Sequence, residues 1–438
     1  MSKQLYEICD FPHAAVERGH YPKGIEVQNY LETYATENKL NNVISLNTTV
    51  EKAERKADGC EGWILSTKER NGAIKSEEVD YLVVASGLYS TPNVPTFEGE
   101  DKFEGEILHS SKYTESSMAK AKNVIVVGGS KSAIECLMDS SKVSNASTLV
   151  YREAHWGSPR KIAGIIPFQW IFLSRFGQGL VSWRKGAWPG SPTSVGTAHK
   201  LLSPLMVPVF AIVEALIGFQ LGFKGDFKPK DDIVKDFYGY GHVLDNSFKE
   251  ARNSNTVNIA KGAIERLTKN SVILTCGKEI PCDLIVCGTG YKRSYEYLDN
   301  DILKALNIEK DGMYLYRHCL PLNVPNLAFV GSEVATISNI ATYGIMAEWL
   351  ARVLKKTMTL PPADVMVKEV EEMKEWKRYD CCLHKFRCSF VFEVATLQEF
   401  LQMIIIYHLI YGIDHGCLKQ IVVPQWCCYT RHIFMIHF

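Results

Sequence analysis

An excess of either charge is missing from this sequence: 49 lysines and arginines stand against 49 aspartates and glutamates. Nothing in that balance calls for nucleic acid or an acidic surface as a bulk partner. The opening stretch, MSKQLYEICDFPHAAVERGHYP, lacks the apolar centre of a secretory leader. The 13 cysteines contain no C-x-x-C pair, and scattered thiols without a leader point to a reduced, cytosolic setting. Also absent is any G-x-G-x-x-G turn ahead of Gly128, so the first part of the chain carries no phosphate-binding signature of that kind.

What the chain does carry is organised around residues 103–135, within a length of 438 residues that allows two or three domains. NVIVVGGSKSAIE is an apolar, mostly β-branched run, Val124 to Val127, that breaks at Gly128 into a turn of Gly128, Gly129, Ser130, Lys131 and Ser132 and then opens a helix. A buried strand, a tight turn and a helix whose free N–H groups face an anion form the order that a nucleotide phosphate needs. Against G-x-G-x-x-G, Gly128 fits and Ala133 is accepted at the third place, while Ser130 replaces the second glycine and crowds the approach. A second strand, Ser147 to Arg152, should follow the helix. It ends in an arginine where a 2′-phosphate would sit and where an acidic residue would instead hold a ribose hydroxyl. The unit reads as an NADP(H) site, with Glu153 next in line keeping NAD open.

Just before this unit, Phe103, Gly105, His109 and Tyr113 stand in the spacing F-x-G-x-x-x-H-x-x-x-Y. That spacing resembles the fingerprint of flavin-containing and related N-hydroxylating monooxygenases; the Baeyer–Villiger sister group usually has tryptophan last, and Tyr113 leans away from it. Three further stretches resemble the same family. VVASGLYSTPNVP, with Ser86 and Gly87, is similar to the strand that leaves the FAD domain. Leu284 to Tyr291, with Gly288, Thr289 and Gly290, is similar to the second signature. PNLAFVGSEVATISNIATYGIMAEWLARVL is similar to the return to the FAD domain, Gly331 closing its strand and Asn339 lying near the flavin ring.

The resemblance covers about residues 5–377. It implies an α/β protein of two dinucleotide-binding, Rossmann-like domains, the FAD domain being discontinuous and N-terminally incomplete because its first strand, phosphate loop and helix are not found. Residues 1–115 would be the partial FAD domain, 116–295 the NADP(H) domain with an insert at about 156–250, 296–377 the return, and 378–438 an atypical tail. The implied cofactors are FAD and NADP(H), held by the residues just named, and the fingerprint residues would be the linker between domains. The implied chemistry is NADPH-driven transfer of one oxygen from O2 to a soft nitrogen or sulfur nucleophile through a C4a-hydroperoxyflavin, with no catalytic side-chain acid or base nominated. A rival of another class is a catalytically silent NADP(H)-binding or interaction protein that has lost FAD. A flavin disulfide reductase would need a close redox cysteine pair, which is not seen.

The remaining stretches are less specific. Ile25, Val27, Tyr30, Leu31 and Tyr34 predict one apolar helix face. The insert holds Trp156, Trp170, Trp183 and Trp188, read mainly as core. Leu201 to Phe223 is long enough to span a bilayer, but Pro204, Pro208, Glu214 and Gln220 interrupt it. A buried or membrane-contacting helix is the favoured reading, which would place the protein in the cytoplasm or at the cytosolic face of a membrane. The tail has CCLHKFRC, HGC and CCYTRH with His384, His415 and His432 nearby, yet no ligand pairing of zinc type, so no metal is expected.

Overall fold

The computed structural model describes residues 7–8, 11–12, 21–56, 61–172, 193–233, 236, 242–253, 255–309, 311–333, 339–382 and 433–436. Its contacts divide the chain into two units, 1–88 with 294–438 and 89–293.

In the first unit, helix α1 (Gly24–Glu37) is anchored by one residue. Tyr30 is its buried side chain, and its hydroxyl donates to the Phe11 carbonyl at 2.5 Å and accepts the Ile8 N–H at 2.8 Å. Of the rest of the predicted apolar face, Ile25 and Leu31 are exposed, while Val27 is half-buried and Tyr34 meets the Phe11 ring edge-on at 5.2 Å. Strands β1 (Thr48–Arg55), β2 (Trp63–Glu69) and β3 (Ile74–Val79) form an antiparallel meander. Alternation in β2 buries Trp63, Leu65 and Thr67 on one face, as a half-covered strand requires, and β3 keeps its charged residues exposed. The next strand, β4 (Tyr81–Val84), is apolar throughout and covered on both faces: Leu82 and Val84 join one core cluster, Val83 another.

The chain then builds the second unit from β5 (Glu106–His109), β6 (Asn123–Val127), helix α2 (Lys131–Ser140), β7 (Ala146–Tyr151), the long helix α3 (Thr193–Leu221), β8 (Asn258–Lys261) and β9 (Leu284–Cys287). The five strands make one parallel sheet in the order β8-β7-β6-β9-β5. Near-continuous Val, Ile and Leu in β6 and β9 suit strands buried on both faces, and β7 is buried from Ser147 to Tyr151 with Ser147 and Thr148 among its inward residues. The sequence placed the first domain boundary at about 115, whereas contacts divide the chain after Leu88. The reason is that β5 pairs with β9, so the whole fingerprint from Phe103 to Tyr113 lies inside the second unit.

In the insert, Trp156 is a core residue, 1% exposed and in edge contact with Phe223, while Trp170 is 68% exposed. Trp183 and Trp188 lie outside the described residues. Among those residues, no helix is long and apolar enough to cross a membrane.

Returning to the first unit, β10 (Leu327–Phe329) pairs in parallel with β4, and helices α4 (Asn339–Leu354) and α5 (Ala363–Cys382) follow. A last strand, β11 (Ile433–Ile436), lies along the other flank of β4, giving the order β10-β4-β11. The cysteine- and histidine-rich stretches between α5 and β11 lie outside the described residues.

Candidate functional site

The second unit holds the glycine turn Gly128–Ser132 at the point where the sheet order reverses. From β6 the chain runs through α2 to β7 on one side, and β9 pairs on the other side of β6. That reversal opens a crevice beyond the carboxyl ends of the strands, the usual ligand place in open parallel sheets. Gly128 follows β6 with φ +136, and a Cβ there would stand 2.4 Å from the Gly288 carbonyl oxygen. A Cβ on Gly288 would in turn be 2.7 Å from Cα of Ala133, and one on Gly129 would be 2.5 Å from the Glu153 carbonyl. The ends of β6, β7 and β9 thus converge on the first turn of α2, and only glycine permits the approach.

Ser130 caps α2 in extended conformation without a capping bond from its side chain, and Ser130, Lys131 and Ser132 are exposed. The first backbone N–H groups of α2 have no acceptor within the helix, and the dipole makes them a place for an anion. Lys131 reaches Glu135 at 3.4 Å, one turn along. Arg152 is exposed just beyond β7, beside the turn that Glu153 touches. The chemistry of this donor set fits a dinucleotide diphosphate with a 2′-phosphate at Arg152.

The fingerprint residues turn out to brace this turn. A Cβ on Gly105 would meet the Phe103 ring at 2.3 Å and the Asp283 carbonyl at 2.7 Å. His109 is 2% exposed. Its Nδ1 accepts the Ser111 N–H at 3.2 Å, which leaves Nε2 to donate to the Gly290 carbonyl at 2.8 Å. The Tyr113 hydroxyl is buried beside Asp139 of α2, and burial first, then that carboxylate, pushes its pKa up. Of the second signature, Gly288 reaches the nucleotide turn. Thr289 and Gly290 are bonded elsewhere: the Thr289 hydroxyl donates to the Asn93 carbonyl, and Asn93 N–H donates to Gly290 O at 2.9 Å. Asn93 was missed by motif reading, as was Asp283, whose carboxylate accepts both the backbone and side-chain N–H of Asn123 at 2.7 and 3.0 Å. Neither stands in a recognisable spacing.

In the first unit, Ser86 and Gly87 follow β4 while Gly331 follows β10, and the parallel register of Val84 with Phe329 puts them at the same end of the sheet. Gly331 has φ +81 and lies against the Tyr343 ring, whose hydroxyl donates to the Glu333 carbonyl at 2.6 Å and reaches Asn339 Oδ1 at 3.3 Å. Tyr343 therefore ties the strand-end turn to the start of α4. These residues fit one end of a flavin nucleotide, at the N-terminus of a long helix. Among the described residues, this unit holds no second glycine turn like Gly128–Ser132 for the flavin diphosphate.

The family model described as flavin-binding monooxygenase-like matches residues 1–184 and 243–410. The chain belongs to that family. Flavin-containing monooxygenase 1 of Rattus norvegicus is 28% identical over 395 residues, covering 86% of this chain and 66% of the rat protein. A probable flavin-containing monooxygenase 1 of Arabidopsis thaliana is 24% identical over 435 residues, covering 90% and 81%. The cyclohexanone monooxygenase of Rhodococcus sp. Phi1 bound to NADP+ shares the fold, with TM-score 0.59 and 17% identity over 86% of this chain and 78% of that one. The chain thus spans about two thirds of the length of the rat relative, 66%. Within this family membership, α3 falls in the stretch that the match leaves out, 185–242.

Among the described residues, no group of three or more His, Cys, Asp or Glu is placed to hold a metal ion. His384, His415 and His432 lie outside the described residues.

Proposed function

We propose that this protein is an FAD- and NADPH-dependent monooxygenase that transfers one oxygen of O2 to a soft nitrogen or sulfur nucleophile. The observation that carries the reading is the convergence of Gly128, Gly288 and Ala133 at the switch point of a parallel sheet, with Arg152 beside it. The residues have separable tasks. The N–H groups at the start of α2 receive the NADP(H) diphosphate, and Arg152 holds the 2′-phosphate. His109 and Asn93 fix the turn after β9, keeping Gly288 against α2. Ser86, Gly87, Gly331 and Asn339 would hold the flavin end of FAD, which supplies hydride acceptance from NADPH and activation of O2. No protein acid or base is assigned, so the protein contributes binding, orientation and exclusion of water.

The test is direct. Protein incubated with excess FAD is desalted, given NADPH in air, and assayed with a tertiary amine and a thioether. NADPH oxidation coupled to N-oxide or sulfoxide is the expected result. NADPH that binds without being consumed, in protein that retains no flavin, overturns the reading.

We further infer that the second unit rests on an anionic membrane surface. On α3, Ile212 and Phe219 are 61% and 82% exposed, while Phe210, Val213, Ile217 and Leu221 cover the opposite, buried face. Gln220 accepts the Ala163 N–H at 2.9 Å and donates to the Lys161 carbonyl at 3.0 Å, which ties α3 to the hairpin of Lys161–Ile162 with Ile166–Pro167, whose turn exposes Ile165. The rim is basic: Arg160 and Lys161 are exposed, and Lys249 lies over the Phe219 ring at 4.7 Å. An apolar face with a cationic rim suits lipid headgroups. Cosedimentation with phosphatidylserine vesicles, lost in Ile212→Glu/Phe219→Glu, is expected; equal recovery of both proteins with vesicles would sink the idea.

A further inference from the structure

Val83 lies in the middle of β4 and is 2% exposed, so water does not serve its backbone groups. Its neighbours face β10: Leu82 N–H donates to the Asn326 carbonyl at 3.0 Å, and Val330 N–H donates to the Val84 carbonyl at 2.9 Å. In a parallel strand, peptide groups of successive residues point alternately to the two flanks. The N–H and C=O of Val83 therefore point away from β10, and a buried backbone pair without partners is costly.

The structure supplies one partner there. β11 runs parallel to β4, with Ile433 opposite Tyr81, Met435 opposite Val83 and Ile436 opposite Val84. Among the described residues, no other strand lies on that flank. Ile433-Phe434-Met435-Ile436 is a continuous apolar run, the composition of a parallel strand covered on both faces. The chain between Cys382 and Ile433 is ample for a parallel crossover, which needs roughly a dozen residues. β11 also falls outside both stretches that the family model matches.

We propose that Ile433–Ile436 is an integral edge strand of the first unit, docked within the same chain, whose role is to pair the outward backbone groups of Val83 and close the open flank of β4. The strand so held is the one that presents Ser86 and Gly87. The proposal does not depend on flavin binding. It makes the C-terminal strand a folding element, so that a change there acts on β4 rather than on a free tail.

The experiment is residue-resolved amide hydrogen exchange on three full-unit proteins: the entire chain, a chain ending at Thr430, and the entire chain with Phe434→Pro/Ile436→Pro. In the unaltered chain the amides of β11 and of Val83 should both be protected, to the same degree at low and high protein concentration. In each variant Val83 should exchange roughly ten- to hundred-fold faster, the range expected for a lost backbone bond. Val124 to Val126 in the second unit serve as the control and should not change. Exchange of β11 at the unfolded-chain rate in the unaltered protein overturns the proposal, and needs no variant to fold. Unchanged protection of Val83 in either variant overturns it too. Protection that falls on dilution means that the strand comes from a second copy, and the intrachain claim fails.

Discussion

The His109 ring stands 2.8 Å from the Gly290 carbonyl oxygen, joining a fingerprint residue to a turn 181 residues later in the chain. This bond, with the edge contact of His109 to Tyr291 at 4.8 Å, gives the histidine a bracing task at the nucleotide turn. His109→Ala removes one of the two donors to the Gly290 carbonyl, which keeps the Asn93 N–H, so the lost bond costs about 0.5–1.5 kcal/mol. Thermal unfolding should show that loss, and NADPH titration should show weaker binding with the fold retained. Equal affinity and equal stability would remove His109 from the bracing role.

Two glycines of one turn should respond differently. In Gly288→Ala the new methyl falls 2.7 Å from Ala133 Cα, against helix backbone that has no side-chain freedom to yield. α2 must move off β9, and the strain of overpacking is about 1–3 kcal/mol. Gly290 has open space around its Cα but φ +74, so Gly290→Ala carries only the left-handed backbone penalty, about 1–2 kcal/mol. Isothermal titration with NADPH should find binding lost in the first variant and largely kept in the second.

The local signals of the site were legible in the sequence, and the long-range ones were not. Val124 to Val127 followed by Gly128 predicts strand and turn from neighbouring residues alone, and the strand is Asn123–Val127. The fingerprint was readable as a spacing, but its place in the second unit depends on β5 pairing with β9, which no local pattern encodes. Asn93 and Asp283 act through two or three hydrogen bonds each to residues distant in the chain, a signal too small for composition or periodicity to show. The apolar stripe of α1 was real as a pattern, yet burial at Tyr30 alone shows that a stripe predicts a helix better than it predicts a partner.

Thiol reactivity should be graded by burial. Burial pushes the Cys136 and Cys287 thiols up to about 11 and those of Cys282 and Cys319 up to about 12. The thiolate is the reactive form, so these four stay inert at neutral pH. Cys276 is exposed. Of these five cysteines, mass-mapped alkylation of native protein at pH 7.5 should label Cys276 first, with the other four labelled only on unfolding. Rapid labelling of Cys282 or Cys287 would contradict the placement of β9.

Acid should weaken the seating of α5. Arg378 Nε donates to Asp311 Oδ2 at 2.9 Å and its Nη2 to Oδ1 at 3.2 Å, while Lys374 pairs with Glu309 at 2.6 Å. The hydrogen bonds from Arg378, opposed by burial and helped by the Tyr314 hydroxyl, hold the Asp311 carboxyl below the usual range. A carboxylate depressed in the folded state contributes stability that is full above its unfolded value, roughly 3.9, and is lost as pH falls toward the folded one. The pair is more than a third exposed, so screening limits it to under about 1 kcal/mol. Denaturant midpoints of the parent and of Arg378→Met should differ at pH 6 and converge below pH 3. A difference that persists in acid would mean that Arg378 acts through packing.

Cofactor choice should rest on one side chain. Arg152 and Glu153 are both exposed at the end of β7, the Glu153 carbonyl lies close against Gly129, and on the proposed reading Arg152 is the side chain that meets a 2′-phosphate. A charge-assisted bond of this type contributes about 1.5–3 kcal/mol, a factor of roughly ten to a hundred or more in affinity. Arg152→Ala should therefore weaken NADPH by that factor and leave NADH unchanged, which makes the ratio of the two the informative quantity. Salt supplies an independent check, because screening acts on an exposed ion pair: the NADPH preference of the parent should shrink between low and high ionic strength, and that of Arg152→Ala should not. A parent that binds NADH and NADPH alike, with Glu153→Gln then favouring NADPH, would give the deciding role to the carboxylate next in line.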